Sequence, residues 1–110
     1  MNLDIRHEQS EDAELIYLTG EIDAYTAPKL RGALTPLAET STKQIVVDLK
    51  NVQYIDSTGL GIFVGILKLT DANESSLMLR GMSDRVRRLF TITGLDEVIQ
   101  IEHNQEEEAK

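Results

Sequence analysis

The chain has 110 residues, 41% of them apolar, with 11 lysines and arginines against 19 acidic residues for a net charge of -8. That length suits one domain around one core, and the negative charge repels a polyphosphate backbone, so no direct nucleic-acid partner is expected. The absence of cysteine excludes disulfides and thiolate metal sites.

Met1 to Arg6 offers no basic region followed by an apolar stretch. The longest apolar run, Ile62 to Leu67, is interrupted by Gly65 and is too short to span a bilayer. A cytoplasmic protein with no membrane partner is expected.

Leu3, Ile5 and His7 alternate with Asp4, Arg6 and Glu8, the period of a half-buried strand. Ser10, Glu11 and Asp12 make a turn before a second strand, Leu15 to Thr19. This strand is apolar on both faces and is expected to be the more interior, antiparallel partner. Gly20-Glu21-Ile22-Asp23 breaks the pattern. Thr26-Ala27-Pro28 then opens a helix, with proline where a missing amide does no harm, and Leu30, Ala33, Leu34, Leu37 and Ala38 follow at helical spacing. Pro36 removes the bond to the Gly32 carbonyl, so a kink or an early end is expected there.

Thr40 to Lys43 is a polar connection into Gln44 to Leu49, a β-branched run suited to a central strand covered on both faces. Strand, helix and strand in this order predict a right-handed parallel crossover. Lys50 to Asp56 would then be a loop at the carboxyl end of that strand, the edge where open α/β sheets usually meet ligands and partners.

There the chain reads Tyr54-Ile55-Asp56-Ser57-Thr58-Gly59-Leu60-Gly61. Asp, Ser and Thr oxygens accept from the free amides of a first helical turn, so the octet is a helix start. A hydroxyl at that position faces unpaired amides and the positive end of the helix dipole, where a phosphoryl group would be favourable. In the helix that follows, Leu60, Phe63, Val64 and Leu67 form one apolar stripe, and Ile62, Ile66 and Leu69 form another on nearly the opposite side. The second stripe fits either a neighbouring helix or a partner. Gly61 and Gly65 each give up roughly 1 kcal/mol of helix propensity, a cost that close approach of another group usually offsets.

Asp71 to Glu74 closes this helix, and Ser76 to Arg80 is a short strand ending at Gly81. Ser83 caps a further helix with Val86, Leu89 and Phe90 inside, and Gly94 stops it. Arg85, Arg87 and Arg88 are left on its outside, as a solvated face or a docking surface for an acidic partner. Val98 to Ile101 makes a last strand before a charged tail from about 102 to 110. The expected fold is one α/β domain over residues 1–110, a mixed sheet with helices packed against it in the order β-β-α-β-α-β-α-β.

An enzyme is not expected. Position 55 is Ile, so Ser57 does not sit in a hydrolase elbow, and the only histidines, His7 and His103, lie in the first strand and the tail. Gly59, Gly61 and Gly65 faintly resemble a dinucleotide turn, but no lysine with Ser or Thr follows and no acidic residue ends the next strand. The scattered acidic residues lack metal-ligand spacing, so neither a metal nor a cofactor is expected.

Val52 to Gly65, preceded by Val46-Val47-Asp48-Leu49, closely resembles the phosphorylation-site signature of STAS domains that act as anti-sigma factor antagonists, in particular those of sigma-B stress pathways. Gly20-Glu21-Ile22-Asp23 and Thr93-Gly94-Leu95 resemble other recurring motifs of that family, so the resemblance spans nearly the whole chain. Ile55 replaces a methionine of some relatives, and Thr58 replaces a second serine of others, which leaves Thr58 as a secondary acceptor.

The resemblance implies a partner switch. The unmodified protein would bind an anti-sigma factor that is also a serine kinase, freeing the sigma factor. Phosphorylation of Ser57, with ATP held by the kinase, would end binding, and a PP2C-type phosphatase would restore it. Asp23 and Asp56 would flank the acceptor at a contact surface that includes Thr58, Gly59, Leu60 and Gly61, the glycines letting the helix start approach the partner. Two other readings stand beside it. A small nucleotide-binding domain would bind ATP or GTP directly, and a plain interaction module would bind its partner whatever the state of Ser57.

Overall fold

The alternating amino-terminal segment forms β1 (Leu3–Gln9), which pairs antiparallel with β2 (Ala13–Ile22) in a computed structural model that describes residues 2–102. There follow α1 (Ala27–Thr40), β3 (Gln44–Ile55), α2 (Ser57–Ala72), β4 (Leu77–Arg80), α3 (Asp84–Ile92), a 3-10 turn over Leu95–Glu97, and β5 (Gln100–Ile101). The five strands form one sheet in sequence order, with β2, β3, β4 and β5 mutually parallel. The expected order of strands and helices is the observed one.

Successive right-handed crossovers that always step to the next strand in the same direction place all three helices on one face of the sheet. Burial agrees with this. Leu3, Ile16, Leu18, Ile45, Val47, Leu49, Leu77 and Leu79 form one core with Leu30 and Leu34 of α1, Phe63 and Ile66 of α2, and Val86 and Phe90 of α3. The Phe63 and Phe90 rings stand 6.3 Å apart, joining the last two helices.

Among the described residues no helix covers the opposite face, and its own side chains shield it. Leu15, Val46 and Met78 lie side by side in register, and next to them run Tyr17, Asp48 and Arg80. The Arg80 Nε donates to Asp48 at 3.1 Å, and the Arg6 guanidinium lies 4.3 Å from the centre of the Tyr17 ring.

Several boundaries depart from expectation. β2 does not break at Gly20 but continues through Ile22, and β3 runs to Ile55, so Lys50 to Asp56 is not a loop. The pairing of β2 with β3 shifts register between Tyr17 and Thr19 and again between Gly20 and Glu21. Each shift places one extra residue in β3 and changes which side chains face inward, from Ile45, Val47 and Leu49 to Val52 and then Ile55. Helix α1 does not end at Pro36. Gly32 and Pro36 both lie on its exposed side, where water can satisfy the orphaned carbonyl, while Leu30, Leu34 and Ala38 continue the buried stripe.

At the carboxyl end β5 is shorter than expected, because Leu95–Glu97 forms the 3-10 turn and Ile99 plugs into the core. Gly94, with φ of 76°, ends α3 as expected. The Glu102 amide still donates to the Leu79 carbonyl at 2.9 Å, so Glu102 remains tied to the sheet. The rest of the charged tail lies outside the described residues.

Candidate functional site at the start of α2

Asp56 leaves the sheet in an extended conformation, its amide donating to the Ile22 carbonyl at 3.2 Å, and becomes the cap of α2. One carboxylate oxygen accepts from the Thr58 amide at 3.0 Å and from the Gly59 amide at 3.1 Å. The capping role is therefore filled by Asp56, and Ser57 is the first helical residue. Ser57 is exposed, and its hydroxyl makes no hydrogen bond among the described residues. A hydroxyl with no partner, at the positive end of a sixteen-residue helix, is open to chemistry at no cost to the fold.

Thr58 and Gly61 share this exposed side, whereas Gly59 and Leu60 turn inward. A methyl group on Gly59 would lie 2.6 Å from the Ile22 Cγ2 and 2.8 Å from the Ile55 Cγ1. Glycine here lets the helix start approach the strands of its own sheet, not a partner as the sequence suggested. Gly61 and Gly65 have no atom within 4 Å of an added methyl, so no neighbour in the fold explains either of them. Both lie within α2 and not in a loop before it, unlike a phosphate-cradling turn. The second apolar stripe is settled: Ile62 and Ile66 are buried, and Leu69 packs against the same core, on the side where α2 meets α1.

Asp23 is only 8% exposed. Its Oδ1 accepts from the Tyr25 and Thr26 amides, both at 2.9 Å, while the Thr26 hydroxyl accepts from the Asp23 amide at 3.0 Å and donates to the Glu21 carbonyl at 2.8 Å. This reciprocal turn shapes the connection from β2 into α1 and holds Tyr25 outward, 77% exposed. On the other side of Asp56, Tyr54 is 43% exposed. Two aromatic rings thus stand at the same sheet end as Ser57, because Glu21 pairs with Tyr54 and Ile22 with Ile55 at the ends of β2 and β3.

Next to Tyr54 a cleft of about 470 Å3 runs to α3, lined by Tyr54, Ile55, Asp56, Arg85, Val86, Arg88 and Leu89. Sequence reasoning gave no role to Tyr25, and it left Arg85 and Arg88 undecided. An exposed tyrosine inside a polar turn was the available signal for the first. The second depended on β3 and α3 meeting, which no local pattern encodes. His7 lies 2.7 Å from Glu14, far from Ser57 along β1, and among the described residues no three His, Asp or Glu side chains converge as a metal site. No helix among them is long and apolar enough to cross a membrane.

The STAS domain family model matches residues 4–108. The anti-sigma-B factor antagonist of Staphylococcus aureus is 44% identical over 108 residues, which cover 98% of this chain and all of that protein. An anti-sigma factor antagonist from Mycobacterium paratuberculosis superposes with a TM-score of 0.77 at 25% identity, over 96% of this chain and 90% of that one. SpoIIAA of Bacillus, at 20% identity, superposes with TM-scores of 0.72 in its unphosphorylated form, over 96% of this chain and 94% of that one, and 0.71 in its phosphorylated form, over 94% and 95%.

Proposed function

The chain belongs to the STAS domain family, and from that premise we propose that it is an anti-anti-sigma factor, a regulatory binding protein rather than an enzyme, switched by phosphorylation of Ser57. Unmodified, it binds an anti-sigma factor with serine kinase activity and releases a sigma factor of the sigma-B stress type. The kinase, using its own ATP, phosphorylates Ser57 and ends the interaction, and a PP2C-type phosphatase reverses this. Thr58, one residue on, is a secondary acceptor. The protein works in the cytoplasm.

The observation that carries this is the division of labour between Asp56 and Ser57. Asp56 supplies the cap, so the serine hydroxyl is left exposed at the helix terminus, without a hydrogen-bond partner among the described residues. Asp56, Ser57, Thr58 and Gly61 form the contact surface, with Asp23 supporting it through the turn that presents Tyr25. Gly59 and Leu60 contribute from beneath by setting the height of the helix start.

A phosphoserine adds about -1.5 to -2 charge at neutral pH. In the free protein that charge gains about 0.3 to 1 kcal/mol from the helix terminus. In a fitted interface the same dianion loses water beside the Asp56 carboxylate, which costs several kcal/mol, roughly a hundredfold or more in affinity. The switch therefore works by occlusion and leaves the fold in place.

The test is binding of the anti-sigma factor to wild type, Ser57→Ala and Ser57→Asp, with phosphosite mapping after ATP is added. Binding by wild type and Ser57→Ala but not by Ser57→Asp, with label on Ser57, is expected. Equal binding by all three without label would overturn it.

A further inference from the structure

The cleft between the end of β3 and α3 does not include Ser57 and shares only Asp56 with the contact surface described above. Its bottom is apolar, since Ile55 and Val86 are buried and Leu89 is half-buried, and its mouth carries the exposed Tyr54, Arg85 and Arg88. Arg85 and Arg88 are three positions apart on α3 and so lie on one side of it. Neither makes an ion pair among the described residues, whereas Arg6 and Arg80 each have a carboxylate partner. The one carboxylate lining the cleft, Asp56, has an oxygen committed to two backbone amides. On a chain of net charge -8, two guanidinium groups that make no ion pair among the described residues, set over an apolar recess with one carboxylate, locally oppose the prevailing field.

We propose that this cleft is a second docking point for the anti-sigma factor and receives an apolar side chain flanked by aspartate or glutamate. The inference rests on the partner-switch reading above and adds the chemistry of the segment that is bound. Burial of the apolar side chain against Ile55, Val86 and Leu89 provides attraction of no particular direction, and the Tyr54 ring packs over it. The arginine pair fixes orientation by donating to the flanking carboxylate in charge-assisted, fork-shaped hydrogen bonds. Asp56 belongs both to the cleft and to the cap beneath Ser57. A partner seated in the cleft is therefore held against the helix start where the phosphoryl group would appear.

The experiment titrates the Staphylococcus aureus anti-sigma-B factor against wild type, Arg85→Glu/Arg88→Glu, the milder Arg85→Gln/Arg88→Gln, the α1 surface variant Arg31→Glu, and Ser57→Asp, at low and high salt. Circular dichroism checks that each variant is folded. The glutamate pair is expected to weaken binding by roughly tenfold or more at low salt and to flatten its salt dependence, with the glutamine pair in between and Arg31→Glu near wild type. Wild-type affinity and salt dependence in either folded arginine-pair variant would overturn the cleft while leaving the switch intact. An equal loss in Arg31→Glu would also overturn it, since net charge would then be the cause. No difference between wild type and Ser57→Asp, or no binding by wild type, would overturn the switch reading and the cleft with it.

Discussion

Gly59 faces Ile22 so closely that a methyl group on its α-carbon would stand 2.6 Å from the Ile22 Cγ2, and this contact sets how near the start of α2 comes to the ends of β2 and β3. Both neighbours, Ile22 and Ile55, are buried and β-branched, so neither can rotate aside cheaply.

Gly59→Ala is therefore expected to destabilise the protein by about 1 to 3 kcal/mol, by overpacking. Gly61→Ala and Gly65→Ala meet open space and are expected to stabilise it by up to roughly 1 kcal/mol each, through helix propensity. Urea titrations of the three variants would check both signs. Stabilisation by all three would mean that Gly59 is not held against the strands.

The Asp56 cap and the proposed acceptor Ser57 are adjacent residues, and substitution should separate their roles. Asp56→Ala removes the acceptor of the Thr58 and Gly59 amides and is expected to cost about 0.5 to 2 kcal/mol. Ser57→Ala removes no hydrogen bond of the fold and is expected to stay within about 0.5 kcal/mol of wild type. Thermal melts would decide, and a Ser57→Ala loss as large as that of Asp56→Ala would mean that the hydroxyl helps to hold the helix.

Phosphorylation should change the amide shifts of the first turn of α2 and its immediate neighbours, and little else. A heteronuclear NMR comparison of the two forms would check this. Shifts spread across the whole sheet would contradict occlusion.

Glu14 gives the protein an acid-sensitive component of stability. Burial by itself would push this carboxyl up, but hydrogen bonds with His7 at 2.7 Å and Gln9 at 3.2 Å, together with the nearby charges of His7 and Lys43, hold it below its ordinary value of 4.5. A group lowered on folding contributes stability that is complete above its unfolded value and is lost as pH falls through the folded one. Wild type should therefore lose stability below about pH 4.5 more steeply than Glu14→Gln. Denaturant midpoints measured on either side of that pH would check the slopes, and parallel curves would refute the assignment.

The order of strands and helices and the capped start of α2, with Ser57 at its first turn, were legible in the sequence, because each depends on neighbours within a few residues. Apolar periodicity, a capping aspartate and a glycine stop act locally and mean the same thing in most folds. What lay beyond reach depended on contacts between distant segments. Lys50 to Asp56 looked like a loop because two register shifts against β2 change the inward period of β3 twice, and only the partner strand reveals that. Gly32 and Pro36 sit on the solvent side of a helix that the packing of Leu30, Leu34 and Ala38 carries past them. The glycines of the octet looked alike, yet a methyl group on Gly59 would meet Ile22 and Ile55, while one on Gly61 would meet open space. Arg85 and Arg88 acquired a cleft only when α3 settled beside the end of β3. Local chemistry determined which elements form and where the Ser57 hydroxyl stands. The surface around that hydroxyl was decided by side chains far apart in sequence, which burial of the common core brings together.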